Sequence, residues 1–223
     1  MSAGPWSPVS IFVGGLRPLP PEGQATGMFK IRQNAPVHCG VEGLAGDQQG
    51  DRRVHGGPDK AVHLYPSDHY RALSGLLPGT QAALEPGVLG ENLSVGGIDE
   101  SSVCVGDVFA LGAVRLQLSQ PRRPCWKVSH RLGLDAASRV LAQHGLTGWY
   151  FRVLDAGTIP PGATLELLER PAPGIALTRL WAVELAHRPP AHEVRVLAAA
   201  PGLADEWGQR LRQRADWLER QAR

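Results

Sequence analysis

The chain has 223 residues with 23 basic and 21 acidic side chains, enough for one large domain or one medium domain and a small one. Its 43% apolar content is ordinary for a soluble globular protein. No apolar run reaches the roughly 18 residues of a transmembrane helix, and a net charge of +2 is too small for a strong nucleic-acid footprint.

With 27 Gly and 19 Pro, the chain predicts many turns between short strands. That texture runs from Val9 to about Arg170. Ser67 predicts the cap of a helix running toward Leu77 and stopped by Pro78-Gly79. Cys104 sits in a strand-like run, Val103-Cys104-Val105. Asp107 to Leu111 turns across Gly112-Ala113 into a strand where Val114, Leu116 and Leu118 alternate with Arg115, Gln117 and Ser119. Asp135 predicts the cap of a second helix, ending at His144 before Gly145. Phe151–Leu154 and Thr164–Leu168 read as two more strands. Pro171 to Gly174 reads as a linker, followed by helices over 178–187, 191–199 and 203–221. In the last, Leu203, Trp207, Leu211, Ala215 and Leu218 form one apolar stripe. Some fifty helical residues are marginal alone, so the stripe is expected to pack on the main domain or on a second subunit, which makes a homodimer one expectation.

Three cysteines, Cys39, Cys104 and Cys125, are an odd and widely spaced set without a CxxC, unlike a disulfide framework or a zinc ribbon. Met1 to Pro8 lack the features of a secretory signal, so a reducing cytoplasm is expected. Cys39 and Cys104 read as buried apolar thiols. Cys125 differs, because Arg122, Arg123 and Lys127 favour its thiolate. Pro121 and Pro124 stiffen its approach and display it in a fixed direction. Cys125 and Arg131 have the spacing of a phosphatase loop, but Trp126 to His130 lack the glycines that such a loop needs.

Other polar clusters are weaker. His55-Gly56-Gly57-Pro58-Asp59-Lys60 offers a tight turn and a cation able to hold a phosphate, yet it is not a Walker A loop. His55, His63 and His69 match no zinc spacing. Glu91 could serve as a general acid or base and Asn92 as a hydrogen-bonding group. Trp149 and Tyr150 could wall a heterocycle pocket with Arg152 supplying charge.

In order, GLAGD (43–47), RVHGGPDKAVHLYP (53–66), GENL (90–93), GD (106–107), SQPRRPCWK (119–127) and GWYFRV (148–153) resemble the MOSC domain, and more closely its YiiM-type subgroup. The resemblance covers nearly the whole chain. It implies a β-rich α+β fold, with a barrel-like MOSC domain over 1–170 and a three-helix domain over 171–223. It implies binding of the molybdenum cofactor in its molybdopterin form, with Cys125 as molybdenum ligand. Lys60, Arg122, Arg123, Arg152, Gly56 and Asn92 are the implied cofactor-binding residues. Thiolate suits a soft metal, and cations suit the cofactor phosphate.

The implied activity is reduction of N-hydroxylated small molecules such as 6-N-hydroxylaminopurine. R–NHOH plus two electrons and two protons gives R–NH2 and water. No cysteine set for an iron–sulfur cluster and no flavin fingerprint occurs, so electrons are expected from a separate flavoprotein reductase. Glu91, Asp59 and His55 stand equal as proton donors. No nucleic-acid polymer and no membrane is expected as a partner. A carrier of the cofactor or its sulfur, without turnover, is the main rival. A metal-free thiol enzyme is a third reading.

Overall fold

The computed structural model describes residues 4–21, 23–51, 55–80 and 82–222. Met1 to Ala3, and Arg53 and Val54 of the second motif, lie outside them. Thirteen strands are found among the described residues, and most are short, as the glycine and proline content predicts. They are β1 (Ser10–Val13), β2 (Arg17–Leu19), β3 (Gln24–Thr26), β4 (Ile31–Gln33), β5 (Val37–Gly40), β6 (Gly43–Leu44), β7 (Val62–Pro66), β8 (Leu93–Val95), β9 (Val108–Leu111), β10 (Val114–Pro121), β11 (Trp149–Asp155), β12 (Gly157–Ile159) and β13 (Leu165–Glu169). Eight form one curled sheet in the order β13-β9-β10-β11-β7-β8-β1-β4, antiparallel except for β7 against β8. Trp6 exchanges backbone hydrogen bonds with Leu165, and Val9 donates to Ala163, so the segment before β1 meets β13 and draws the sheet toward a barrel.

The predicted hairpin is present, with Val114 opposite Leu111. Val114, Leu116 and Leu118 face the core as their alternation requires. The end of β10 is buried on both faces, because the C-terminal helices cover its outer side. Cys104 makes only an isolated bridge, to Ala176.

The helices are α1 (His69–Leu76), α2 (Trp126–Leu132), α3 (Ala137–His144), α4 (Leu177–Leu185), α5 (Ala191–Ala198) and α6 (Asp205–Gln221). Asp68, not Ser67, precedes α1, and Ala136, not Asp135, precedes α3; neither start carries a side-chain cap. Gly145 ends α3 at φ 68°, a left-handed position suited to glycine. Helix α2 had no predicted counterpart. Its seven residues are too few for a clear periodic stripe.

The α6 stripe, Leu203 to Leu218, is buried in the same continuous apolar cluster as the barrel strands. Within the chain, the helix packs chiefly against α5. Entry to α4 is stitched down as well, with Val105 donating to the Ile175 carbonyl and Leu177 to that of Val103. Gly106, at φ 80°, allows this approach: a Cβ there would lie 2.3 Å from the Pro201 carbonyl oxygen. The neighbouring Asp107 is fully buried, and its carboxylate takes the Arg170 guanidinium at 2.7 Å. Gly106 of the fourth motif therefore lets the C-terminal half approach, while Asp107 braces the end of the first half. No helix among the described residues is long and apolar enough to cross a membrane.

Candidate functional site

Strand β10 ends at Pro121, and the chain continues extended to Cys125, whose φ of −102° and ψ of 169° precede the first turn of α2. The Arg122 amide donates to the Gly148 carbonyl at 3.0 Å, and the Val128 amide to that of Cys125 at 3.0 Å. The proline-braced segment is thus tied at both ends. Cys125 is half-buried and lines a partly open cleft whose enclosed part is small, about 80 Å3.

Five of the six predicted motifs converge on this cavity, three of them through implied catalytic or cofactor-binding residues. His55 and Lys60 come from the second, Asn92 from the third, and Arg122 and Cys125 from the fifth. Arg122 is buried; one guanidinium nitrogen donates to the Leu89 carbonyl at 3.1 Å, while Nη1 has no protein partner. Asn92 accepts the His63 amide at 3.0 Å through Oδ1 and donates to Asp47 at 2.9 Å. Lys60 ends a 3-10 turn (Pro58–Lys60), and its ammonium meets Glu206 of α6 at 3.0 Å.

Other predicted residues lie elsewhere. Arg123 leaves the cavity for the C-terminal helices, where it pairs with Glu184. Arg152 binds Asp59 at 2.7 Å, Gln117 at 2.8 Å and the Gly202 carbonyl at 2.9 Å; neither Arg152 nor Asp59 lines the cavity. Gly56 does not line it either. Glu91 is fully buried beside it, accepting from the Tyr70 hydroxyl and the Gly87 amide. Burial pushes the Glu91 carboxyl up, against those hydrogen bonds and the charge of Arg122. Trp149 is in the core with Phe151, while Tyr150, one residue on and on the other face of β11, lines the cavity. The three histidines do not gather: His69 binds Glu100 at 2.6 Å, away from His55. No group of three metal-binding side chains occurs among the described residues.

Sequence reasoning missed Lys30, Asp47, His63 and Lys127 as cavity residues. Lys30 and Asp47 form a buried ion pair at 2.5 Å. Asp47 also accepts from the Gly14 amide at 3.0 Å, so its carboxylate is fully engaged. Burial pushes the Lys30 ammonium down, against the pull of Asp47. His63 is driven toward its neutral form by burial and by the charges of Arg122 and Lys30. The outer wall is backbone. A Cβ on Gly27 would lie 1.8 Å from the Gln48 carbonyl oxygen, so the 26–28 and 48–50 segments pack as closely as only glycine permits.

The lining therefore carries Lys30, Lys60, Arg122 and Lys127 against one carboxylate, Asp47. The thiol responds to this field. Burial raises Cys125, but the hydrogen bond from His55 and the charge of Arg122 outweigh it, and the thiol falls to about 7. Cys39, buried without such partners, is pushed up to about 12. The thiolate of Cys125 therefore grows in as pH rises through neutrality. Its alkylation by iodoacetamide, followed by mass spectrometry, is expected to have a midpoint near pH 7, moving upward in His55→Asn. A midpoint near 9 in the wild type would contradict this site electrostatics.

The family profile of the MOSC domain matches residues 51–166. Protein YiiM of Escherichia coli strain K12 is 32% identical over 209 residues, 93% of this chain and 92% of that one. The chain belongs to the MOSC-domain family. The crystal structure of YiiM from Geobacillus stearothermophilus superposes with a TM-score of 0.79 at 30% identity, covering 95% of this chain and all of that one. A Gibberella moniliformis protein named "Reductase" is 37% identical over 147 residues, 66% of this chain but only 26% of that protein. The YiiM relatives extend through the C-terminal helices, as the sequence resemblance implied.

Proposed function

We propose that this MOSC-family protein binds the molybdenum cofactor in its molybdopterin form and reduces N-hydroxylated small molecules, such as 6-N-hydroxylaminopurine, to their amines. The observation that carries this reading is an ionisable thiol, Cys125, held among cations in a partly open cleft. The donor set fits the group. The unpartnered Nη1 of the buried Arg122 awaits an acceptor, and Lys60 and Lys127 add charge suited to a phosphate. Cys125 would be the single protein ligand to the metal, the others coming with the cofactor. When bound, the cofactor supplies a two-electron redox centre able to take up an oxygen atom.

The chain's own residues hold, orient and protonate. Cys125 Sγ anchors the metal, with His55 controlling the proton at that sulfur. Of the three proton donors weighed from sequence, His55 alone lines the cavity; Asp59 is locked to Arg152, and Glu91 lies behind the wall. Arg123 and Arg152 brace the site rather than touch the ligand. His63 and Tyr150, with rings 5.2 Å apart and tilted by 43°, offer an aromatic inner wall to a heterocycle. Electrons come from a separate flavoprotein reductase in the cytoplasm. The relative named a reductase supports redox chemistry.

Cofactor-loaded protein given 6-N-hydroxylaminopurine and dithionite-reduced methyl viologen is expected to form adenine. A loaded protein that forms none would instead favour the carrier reading.

A further inference from the structure

The C-terminal helices touch the site at several points. Glu184 of α4 accepts from Arg123, and from Arg210 of α6 at 2.8 Å. Both guanidinium groups lie over the buried Trp207 ring, Arg123 at 5.1 Å and Arg210 at 4.4 Å from its centroid. One carboxylate thus neutralises two cations stacked on one indole. Arg123 stands between cavity-lining Arg122 and the residues leading to Cys125, so this cluster grips the cysteine segment from behind. The Ala204 amide donates to the Ser119 carbonyl at 2.9 Å, gripping the same segment at its start. The Ser119 hydroxyl lies 2.6 Å from the Asp59 carbonyl oxygen and 3.0 Å from that of Tyr150, which carries the grip to the lysine turn and the cavity wall.

We infer that Glu184 is a positioning residue of the site: by holding Arg123 and Arg210 together over Trp207, it fixes the 119–125 segment and with it the placement of Arg122 and Cys125. The C-terminal helices are then part of the site's frame, beyond covering the barrel. Without the carboxylate, the two guanidinium groups at this ring lose the one anion that pairs with both. The segment loses its rear anchor, while the barrel keeps its apolar core. The consequence for ligand holding rests on the cofactor reading above; the mechanical consequence does not.

The test is hydrogen exchange across residues 122–128 in ligand-free protein, together with the rate of molybdenum loss from loaded protein on dialysis. The Arg122 and Val128 amides report directly: Arg122 ties the segment to the Gly148 carbonyl, and Val128 donates to the carbonyl of Cys125. Glu184→Gln is expected to speed exchange there about tenfold, with exchange in β7 and β8 unchanged. It should also lose molybdenum several-fold faster than wild type. Glu184→Asp should recover most of both effects. Arg123→Leu, which frees the segment but leaves Glu184 paired with Arg210, should reproduce the local exchange. Glu193→Gln, which breaks the Arg179–Glu193 pair at 2.6 Å within the same helices, should leave 122–128 unaffected. Unchanged exchange at 122–128 in both Glu184→Gln and Arg123→Leu would overturn the inference, as would an equal increase in Glu193→Gln. A wild type without molybdenum would refute the cofactor reading, and the exchange result would still decide the positioning role.

Discussion

On the proposed function, Cys125→Ala is expected to lower hydroxylamine reduction by about a thousandfold or more, because it removes the proposed protein ligand to the metal. The fold should survive. Cys125 is half-buried and its sulfur faces the cavity, so truncation opens no sealed void in the core. Far-ultraviolet dichroism and the thermal midpoint should match wild type to within a few degrees. Arg122, His55 and Lys60 remain in place, so binding of the anionic part of the ligand should weaken less than turnover. Retention of wild-type turnover by Cys125→Ala would remove the thiol from the chemistry. A collapsed fold would instead make Cys125 a structural residue, so both arms must be measured together.

Asp47→Ala is expected to have the largest effect on stability, about 3–5 kcal/mol, or roughly 6–20 °C in Tm for a chain of this size. The reason is an uncompensated charge. Lys30 and Asp47 have side chains only 5% and 2% exposed, and Asp47 also serves the Gly14 amide and the Asn92 side chain. Removing the carboxylate strands an ammonium and two further donors. Burial already pushes Lys30 down, and without Asp47 it falls further. The folded state then sheds its proton before the unfolded chain does, so the deficit should shrink as pH rises toward the unfolded lysine value of about 10.4. Urea unfolding at pH 6 and pH 9 reads both the loss and its direction. A loss below about 1 kcal/mol would mean that Lys30 reaches water or another partner when Asp47 is gone.

Much of the fold was legible because its signals were local. Alternation in Val114 to Leu118 fixed the core face of β10, the Gly112-Ala113 turn fixed its register against β9, and Pro and Gly fixed the helix ends near Gly145 and in the C-terminal segment. Helix α2 was not legible, because its seven residues follow a proline-rich extended run and carry no side-chain cap. The site was legible where chemistry and local charge coincide, at Cys125, Arg122, His55, Lys60 and Asn92. It was misread where direction decides. Arg122 and Arg123 are the same residue type at adjacent positions, yet one faces the cavity and the other the Trp207 cluster. Trp149 and Tyr150 divide in the same way across the pleat of β11, so the expected aromatic wall is Tyr150 alone of that pair. Lys30 carried no motif signal. Asp47 stood in a motif, but its partner is 17 residues away, and only the fold brings the two together.

The most direct measurement is molybdenum per chain in protein made by a host competent for cofactor synthesis, for wild type beside Cys125→Ala. About one molybdenum per wild-type chain, lost from the variant, is the predicted result. Metal-free wild type that also lacks a fluorescent pterin, or equal molybdenum in both proteins, would contradict the assignment of Cys125 as the ligand at this cavity.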